Sequence, residues 1–378
     1  MHDGHRVVDS DGHLLEPADV YDGKVDPRHL ERAPRILRDE QGRQGFSMLG
    51  MPPFAGGDFG SGDVVTPQGL RQPAGKQWDQ AQPGGFDPHA RIRDMDTDGV
   101  DAAVLFPTLG LFNSLIPEAA AAVAIARCLN DHAAEYARPY PDRLFCVGVL
   151  PLKDVDASIA ELQRVAGMGF PAVVVRPNPD PNTQRKLDDP AYEPLWSAAE
   201  EAQIVVAIHE GVNPLIPFAG LDRCQNMFDW HVVSHPFEQM LAMVTLIRAG
   251  VMERHPTLRF GFMESNCGWL PYWLERMDSN YRQIGWQAPE VKRPPSEYFQ
   301  RQCAITCEAD EEAVGAVADL VGDDRIMWAS DYPHYDSDFP GAVQEMFERD
   351  SLTEERKTKI MASNADTFFR LPVAVSRG

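Results

Sequence analysis

The sequence has few cysteines, and none of the six forms a CxxC pair. Cys303 and Cys307 lie four residues apart, a spacing that is unusual for a zinc site and awkward for a disulfide within one strand. We therefore expect mostly buried, reduced thiols and a cytoplasmic protein. The N-terminus also lacks a basic region followed by an apolar stretch, and no window approaches the length of a membrane span. We expect neither a secretion signal nor a membrane partner.

Basic residues are scarce as well. The chain has 35 Lys and Arg against 57 Asp and Glu, which gives a net charge of −22 and a pI near 4.8. Binding to nucleic acid or to an anionic membrane needs a basic surface, so we expect neither as a partner. A small anionic substrate remains compatible with this charge, because a few buried arginines are enough to hold it.

A dinucleotide-binding fingerprint is missing too, because no GxGxxG follows the first apolar run. We also find no short-period internal repeat. The chain instead alternates short apolar runs with amphipathic stretches, a pattern typical of a parallel sheet that is buried on both faces. After the opening run, the predicted strands are residues 100–108, 143–152, 170–178, 203–211, 258–265, 302–308 and 325–333. The predicted helices between them include residues 117–137, 154–168, 192–202, 237–251, 269–284 and 310–321.

Eight strand–helix units over this length favour one particular α/β fold. They fit a (β/α)8 TIM barrel better than an open doubly wound sheet, which usually has fewer strands. Hydrophobic residues at 43% and charged residues at 24% are ordinary for a globular protein with a sizeable core. We therefore predict a single barrel domain over residues 1–378.

One segment breaks the alternation. Residues 22–88 are rich in Gly, Pro and Gln and show little periodicity, as in "MPPFAGGDFGSGDVVTPQGLRQPAGKQWDQAQPGG". Long unpatterned segments are usually linkers, lids or binding loops. We expect a loop-rich insertion after the first strand. It is either a flexible insertion, a lid over the site or part of a subunit interface.

Ionisable side chains collect at the predicted strand ends. In "VVDSDGHLLEP", residues 7–17, Asp9, Asp11 and His13 lie two apart, so an extended strand presents them on one face. If they face inward, a cation or a hydrogen-bond network must offset their desolvation. The later strands end in Arg176, His209, Glu264, Cys307, Glu308 and Asp331. Because active sites of such barrels lie at the C-terminal strand ends, we expect these side chains at one rim, around Zn²⁺, Mn²⁺ or Fe²⁺.

Five motifs carry a family resemblance that covers nearly all of the chain from Val7 to Leu371. They are "DSDGHLLEP", "AIHEG", "FMESNCGWLPYWLERMD", "WASDYPH" and "NADTFFRL". Together they resemble the amidohydrolase superfamily, in the branch of amino-carboxymuconate-semialdehyde decarboxylase and related aromatic acid decarboxylases. The resemblance implies a metal-dependent hydrolase or decarboxylase that acts on a small carboxylated substrate. It also implies one metal, Zn or Mn, held by Asp11, His13, His209 and Asp331.

The chain departs from the usual pattern of this family at two places. Many members carry His-x-His on the first strand, where this chain has Asp11 and His13. Members also tend to carry a catalytic His after the sixth strand, where this chain has Glu264. His235, expected just before the helix that follows the fifth strand, and His334 are candidates to compensate. If both point at the site, Glu264 could bridge two metals, and a dinuclear Fe or Mn hydrolase or oxygenase is the alternative.

The candidate roles in catalysis and binding follow from this set. Asp331 would take a proton from water, and Glu264 or His235 would pass protons to the leaving atom. Arg176 is the natural clamp for an anionic substrate, because its planar guanidinium pairs bidentately with carboxylates. His334 is a second candidate for substrate binding. The metal would lower the pKa of water toward ~7 in a hydrolysis, or hold the substrate's oxygens in a decarboxylation.

The remaining expectations concern packing and assembly. Trp269, Leu270, Trp273, Leu274 and Met277 fall at helical spacing, which predicts a packing face without direct chemistry, on the barrel's flank or at a subunit interface. We expect a homodimer or a higher oligomer. A third functional class, a non-catalytic partner subunit in a hetero-oligomer, is also open, although the intact ligand residues argue against it.

Overall fold

A computed structural model describes residues 2, 4–40, 42, 44–51, 64–65, 71–72, 78–213 and 215–372 of the chain. Within these residues the chain forms twelve strands in three sheets. The strands are β1 (Val8–Leu14), β2 (Arg35–Arg38), β3 (Gln44–Ser47), β4 (Val64–Val65), β5 (Arg71–Gln72), β6 (Ala102–Pro107), β7 (Leu144–Val149), β8 (Ala172–Val175), β9 (Val205–Ile208), β10 (Phe260–Phe262), β11 (Cys303–Cys307) and β12 (Ile326–Trp328).

Eight of these strands build one parallel sheet in the order β1-β6-β7-β8-β9-β10-β11-β12. The sheet curls until its last strand meets its first. There the Asp331 N–H donates to the Asp11 carbonyl (2.9 Å), and the His13 N–H donates to the Tyr332 carbonyl (2.7 Å). The predicted (β/α)8 barrel is thereby confirmed, and each predicted barrel strand contains one of the observed strands.

Helices surround this sheet. They are α1 (Pro27–Leu30), α2 (Pro88–Asp98), α3 (Ala119–Ala137), α4 (Val155–Gly167), α5 (Glu193–Glu201), α6 (Met227–Arg248), α7 (Val251–Arg254), α8 (Leu270–Ile284), α9 (Pro295–Gln302), α10 (Val314–Val321), α11 (Ala342–Glu348), α12 (Glu354–Thr358) and α13 (Asn364–Phe369), with a π-helical turn at Lys359–Ser363. Short 3₁₀ turns lie at Trp78–Gln80, Pro83–Gly85, Leu109–Leu115, Pro190–Tyr192 and Gly285–Gln287.

Helix α6 begins ten residues earlier than the predicted helix at 237–251. Asn226 caps it by accepting a hydrogen bond from the Asp229 N–H, and the helix runs on through Pro236. The prediction that His235 precedes this helix was therefore wrong. A proline usually marks a helix boundary because it lacks an N–H and its ring crowds the preceding turn. Here the capped first turns and the long buried face after the proline outweigh that cost.

The strands are apolar along their whole length because they are buried on both faces. Alternate residues such as Val104, Val147 and Val174 form one cluster, into which α13 inserts Phe368. The residues between them pack against the outer helices. Arg259, just before β10, donates to backbone carbonyls of α13. Helix α13 therefore covers the N-terminal end of the barrel and leaves the C-terminal end for a site.

The N-terminal part of the 22–88 segment is more ordered than its composition suggests. Strands β2 and β3 pair antiparallel, and Phe46 and Trp78 pack into a cluster with Leu109 and Ile216. Leu109 and Ile216 follow β6 and β9, so this part of the segment rests on the C-terminal rim of the barrel. Residues 52–63, 66–70 and 73–77 lie outside the described residues. The expected role of the segment as a lid or an interface therefore remains a prediction.

Three further predictions concern the cysteines, the packing face of helix α8 and membrane-spanning helices. All six cysteines are free thiols, and all except the half-buried Cys224 are buried. On α8, Leu270 and Leu274 are buried, with Trp273 packed against the same core, so the predicted packing face is confirmed. Every helix in the described part of the chain is too short or too polar to cross a membrane.

Candidate metal centre

Three of the predicted ligands meet at the C-terminal end of the barrel. Asp11 and His13 lie on β1, and His209 directly follows β9. The His13 and His209 Nε2 atoms are 3.2 Å apart, and Asp11 Oδ1 lies 3.4 Å from His209 Nε2 and 3.6 Å from His13 Nε2. All three side chains are fully buried. One ligand atom from each residue thus faces a common point.

The fourth predicted ligand, Asp331, arrives from the segment after β12. Its Oδ1 atom lies 3.1 Å from His13 Nε2. The residue adopts φ +53°, in the left-handed region that costs a residue with a Cβ about 1–3 kcal/mol. The hydrogen bond from its N–H to the Asp11 carbonyl holds it there. The structure therefore brings together all four residues that the resemblance implied.

This arrangement fits a bound divalent cation. Both oxygens of Asp11 are buried and accept no hydrogen bond from any described residue. Nδ1 of His209 lies 2.5 Å from the Glu210 carbonyl, so it carries the proton that it donates, and Nε2 is the ring atom that faces Asp11 and His13. Buried carboxylate oxygens without donors are costly, and a cation would satisfy them. Two imidazoles and two carboxylates suit Zn²⁺, Mn²⁺ or Fe²⁺.

The pKa values of these groups show how strongly burial acts on them. Desolvation raises the pKa of Asp11 to about 6, although His209 opposes the shift. Desolvation and the charge of Glu264 raise the pKa of Asp331 well above its ordinary value. Desolvation also lowers the pKa of His13 well below its ordinary range. Burial thus disfavours the ionised form of the two carboxylates and keeps His13 neutral. Burial also lowers the pKa of His209, but the charges of Asp11 and Glu264 outweigh it and raise that pKa to about 9.

Asp9 lies beside these ligands but belongs to the barrel closure. Its carboxylate accepts hydrogen bonds from the Ser330 N–H (3.0 Å) and Oγ (2.7 Å). Arg91 lies 3.9 Å from it and donates to the His13 and Tyr332 carbonyls. This guanidinium leaves no room for a side chain at the position of Gly12, so a glycine is required there. Asp9 is thus satisfied by protein donors, whereas Asp11 is not.

Glu264 lies between this centre and a second pair of side chains. It follows β10 with φ +47°, and its N–H donates to Thr306 Oγ1. Its Oε2 atom is 3.4 Å from His209 Nδ1, and its Oε1 atom is 3.4 Å from His235 Nε2. Burial opposes its ionisation, but His235 and His209 lower its pKa to about 2. Glu264 is therefore a carboxylate at neutral pH.

His334 lies on the other side of the centre. Its ring packs against that of His13 at an interplanar angle of 31°, with the centroids 4.0 Å apart, and its Nδ1 atom lies 3.0 Å from Asp331 Oδ1. Its Nε2 atom contacts Thr108 Oγ1 at 3.0 Å. The predicted substrate-binding residue thus touches two of the metal-ligand candidates.

Arg176, the second candidate for substrate binding, is buried just behind the rim. Its Nη2 atom donates to Glu210 (2.5 Å), Asn178 (3.1 Å) and the Gly211 carbonyl (2.9 Å). A buried ion pair with Glu210 compensates its charge. The proposed clamp for a substrate carboxylate would have to share this guanidinium with Glu210.

Two residues of this region, His231 and Asp336, were not predicted from the sequence. His231 Nε2 lies 3.2 Å from Asp336 Oδ2, and the His231 and His235 rings stack at 4.4 Å. The i, i+4 spacing of the two histidines is a signal for a shared helix face, but only once the helix is known to begin at Met227. A cavity of about 260 Å³ opens beside them. Its lining includes His231, His235, Glu264, Glu308, Asp331 and Asp336.

Known proteins resemble this chain in sequence. A family model described as amidohydrolase matches residues 8–371. A 2-amino-3-carboxymuconate-6-semialdehyde decarboxylase of Dictyostelium discoideum is 28% identical over 304 residues, which cover 79% of this chain and 80% of the relative. A gamma-resorcylate decarboxylase of Rhizobium sp. (strain MTP-10005) is 29% identical over 294 residues, which cover 74% of this chain and 86% of that enzyme.

Solved structures share the fold. An amidohydrolase from Mycobacterium avium subsp. paratuberculosis K-10 superposes with a TM-score of 0.81 at 22% identity and covers 98% of this chain and 100% of its own. A dihydroxybenzoic acid decarboxylase from Polaromonas sp. JS666, with bound manganese and the inhibitor 2-nitroresorcinol, gives a TM-score of 0.70 at 19% identity, covering 98% of each chain. Since the family model spans nearly the whole chain and the barrel carries the ligands that its motifs implied, this protein is a member of the amidohydrolase family.

Proposed function

We propose that the protein is a divalent-metal-dependent lyase that removes CO₂ from a small carboxylated, aromatic or diketone-like substrate. The observation that carries the proposal is the convergence of Asp11, His13, His209 and Asp331, with both Asp11 oxygens buried and without donors. The two decarboxylases at 28% and 29% identity support the choice of reaction. Manganese bound in a structural neighbour supports a divalent ion, with Mn or Zn as the candidates.

The four residues would hold one ion beside the cavity, which Asp331 also lines. When bound there, a divalent cation supplies Lewis acidity toward the oxygen atoms of the substrate. The side chains fix its position from three separate strand ends. The hydrogen bond from His209 Nδ1 to the Glu210 carbonyl fixes the ring orientation, as such outer contacts do in other metal sites.

Two proton-holding pairs border the cavity. Asp331 and His334 face each other at 3.0 Å, and Glu264 and His235 face each other at 3.4 Å. Loss of CO₂ from a carbon atom requires a proton at that carbon, and a positioned acid contributes typically ~10²–10⁴-fold to such a step. We assign Glu264 and His235 to proton transfer on the cavity side, with Asp331 as a ligand that also exchanges a proton with His334.

The cavity suits a small polar substrate. Its volume of about 260 Å³ and its lining of carboxylates and histidines favour a single ring with oxygen substituents over a long apolar chain. Glu264 and Asp336 bring negative charge to the cavity, because neighbouring histidines lower their pKa against the effect of burial, whereas burial raises the pKa of Glu308 well above its ordinary value. An anionic substrate therefore needs the metal or a cationic side chain as a countercharge. We propose Arg176 for that role, through its Glu210-paired guanidinium, and His334 as a second contact.

The test is a substrate screen on protein loaded with Mn²⁺ or Zn²⁺. Aromatic and branched carboxylic acids are supplied with and without O₂, and released CO₂ is measured beside product formation. We expect CO₂ release without O₂ uptake, and a loss of turnover by ~10²–10⁴-fold in Glu264→Gln. Glu312→Gln, an exposed carboxylate outside the cavity, is the matched control. Absence of CO₂ release across the panel from fully loaded protein would refute the decarboxylase proposal.

Hydrolysis is the second candidate reaction, and Glu264 favours it. Glu264 lies beside the centre with Oε1 3.4 Å from His235 Nε2, so the two side chains are placed to take a proton from water and pass it on. In that case ester and amide analogues of the same acids would turn over without CO₂ release. O₂ uptake with hydroxylated product would instead indicate an oxygenase. Full metal content without turnover until another chain is added would indicate a partner subunit in a hetero-oligomer.

We further propose that residues 1–378 act as one domain, of which the amidohydrolase family model matches residues 8–371, and that the chain self-associates. Helix α6 exposes Phe228, Val232, Phe237 and Leu241, with Phe228 at 76% exposure, and Val232 also lines the cavity. Adjacent exposed apolar side chains of this kind are typical of an interface. Light scattering on the wild type and on Phe228→Asp checks this, and a monomeric wild type would contradict it.

The free thiols agree with a reducing compartment such as the cytoplasm.

A further inference from the structure

A second set of metal-ligand types lies on the cavity side of the first. His231, His235 and Glu264 each have one possible ligand atom within 4.8 Å of those of the other two. The same is true of Glu264, Asp331 and Asp336. Neither group includes Asp11 or the two histidines of the first centre. Glu264 belongs to both groups, so the second set is one continuous cluster of two imidazoles and three carboxylates.

The orientation of His235 suits metal binding. Its Nδ1 atom lies 3.3 Å from the His231 carbonyl, four residues back on the same helix. A proton donated there leaves the lone pair of Nε2 facing Glu264 Oε1. His231 presents its own Nε2 to Asp336 Oδ2 at 3.2 Å. Both imidazoles thus point their outer nitrogens at carboxylate oxygens, from one face of a rigid helix.

The two sets differ in access. Asp11, His13 and His209 are fully buried, whereas His231, His235, Glu264 and Asp336 line the 260 Å³ cavity. Asp331 joins them, because it belongs to one group with His13 and His334 and to another with Glu264 and Asp336. Its carboxylate is therefore placed to serve both sets.

We propose that a second divalent cation, Mn²⁺, Fe²⁺ or Zn²⁺, binds to His231, His235, Glu264 and Asp336, with Asp331 shared between the two ions. The inference deepens the proposed function, since it rests on the first ion being bound at Asp331. In two-metal sites the pair of ions holds both oxygens of a reacting group. The accessible second ion would bind the carboxylate of the substrate, in place of the clamp proposed for Arg176. With Glu264 and His235 as ligands, His334 would be the side chain left to transfer the proton that the proposed function otherwise assigns to them.

The alternative to a second metal ion is that these four side chains form two ion pairs. In that case a proton, and no cation, lies between His235 and Glu264, and another lies between His231 and Asp336. The number of metal ions per chain distinguishes the two cases, because ion pairs alone predict one ion and the second site predicts two. This number can be measured without knowing which reaction the protein catalyses.

The experiment uses the full chain, stripped with a chelator and dialysed against graded free Mn²⁺ alone. The number of manganese ions bound per chain is then measured by inductively coupled plasma mass spectrometry. We expect two ions per chain in the wild type. In the double variant His231→Asn/His235→Asn the count should fall to one ion per chain, and the dissociation constant of the second ion should rise ~100-fold or more. Loss of a residue that only orients a ligand already lowers metal affinity 10–100-fold, and here two ligands are lost. His89→Asn, on α2 and outside both sets, should keep two.

The outcomes distinguish this inference from the proposed function. One ion per chain in the saturated wild type would overturn the second site and leave the decarboxylase proposal standing on its own screen. Two ions in the double variant, with affinities within threefold of the wild type, would also overturn it. Two ions without CO₂ release would support the second site and refute the decarboxylase proposal. Thermal melts show whether the double variant folds, and the wild-type count decides the question even if it does not.

Discussion

Asp9 and Asp11 are two buried carboxylates on one strand, and the structure predicts opposite effects for their replacement by Asn. Burial raises the pKa of Asp11 from 3.8 to about 6, which corresponds to about 3 kcal/mol of unfavourable free energy when it is ionised. Asn at position 11 removes that charge, and its amide can donate toward His209 Nε2. The buried amide oxygen of Asn would lack a donor, which costs about 1 kcal/mol. At pH 8 the metal-free Asp11→Asn chain should therefore be more stable than the wild type by a net of about 2 kcal/mol.

Metal reverses the order of stability. A cation at 100 times its dissociation constant stabilises the wild type by about 2.7 kcal/mol, and Asp11→Asn should lose this increment. Asp9→Asn is the matched control, because Asp9 accepts from Ser330 and lies near Arg91. Burial raises the pKa of Asp9 too, which by itself favours Asn. However, Asn offers one acceptor oxygen to the two Ser330 donors and leaves the buried Arg91 without its countercharge, so we expect a net loss. We expect Asp9→Asn to cost about 2 kcal/mol with and without metal, the usual worth of hydrogen bonds to a charged group.

The assay is urea unfolding at pH 8 with a chelator and with saturating Mn²⁺, for the wild type and both variants. The curves for the wild type and Asp11→Asn should exchange order between the two conditions, and the curve for Asp9→Asn should stay below the wild type in both. If metal-free Asp11→Asn is clearly less stable than the wild type, Asp11 has donors that the structure does not show. If it keeps the full metal increment, Asp11 is not a ligand.

Three further predictions test the site and the fold. His13→Ala and His209→Ala should each lose most of the metal while the circular dichroism spectrum stays unchanged, and full metal content in either would contradict the assignment. Burial raises the pKa of Glu16 from 4.5 to about 7, so the folded state gains up to about 3 kcal/mol below pH 4.5 that is lost as the pH rises through 7. Glu16→Gln should remove this slope from the pH dependence of unfolding. Trp273→Ala should cost about 2–4 kcal/mol, because the half-buried ring packs on the core and donates to the Met240 carbonyl. An unchanged melting temperature would contradict that packing role.

The barrel and the convergence of the first set of candidate ligands were predictable because both depend on strands. Parallel strands buried on both faces are short apolar runs, and their C-terminal ends meet at one rim whatever the details of the helices between them. His209 and Asp331 therefore come together although they are far apart in the chain. The two-residue spacing of Asp11 and His13 on β1 places both side chains on the inner face.

The residues on the cavity side were harder to predict for physical reasons. His231 is assigned correctly only if α6 is known to begin at Met227, and Pro236 hides that start. Asp336 lies in a turn after β12, where the path of the backbone is set by contacts with β1 and α2 and has no periodicity. Glu264 was noticed as a departure from the family pattern. Its distance to His235 could not follow from sequence, because one residue sits after a strand and the other in a helix.

Glu264 and Asp331 share a backbone feature that links the site to the barrel. Both follow the end of a strand with a positive φ, +47° and +53°, where a side chain costs about 1–3 kcal/mol. Each is held by a hydrogen bond from its own N–H, to Thr306 Oγ1 and to the Asp11 carbonyl. Glycine would relieve the strain at either position but offers no ligand. The chain has two carboxylates in an unfavourable conformation at positions where they face both sets of candidate ligands. The two metal sites that we propose require this placement, whereas stability alone would favour glycine at these two turns.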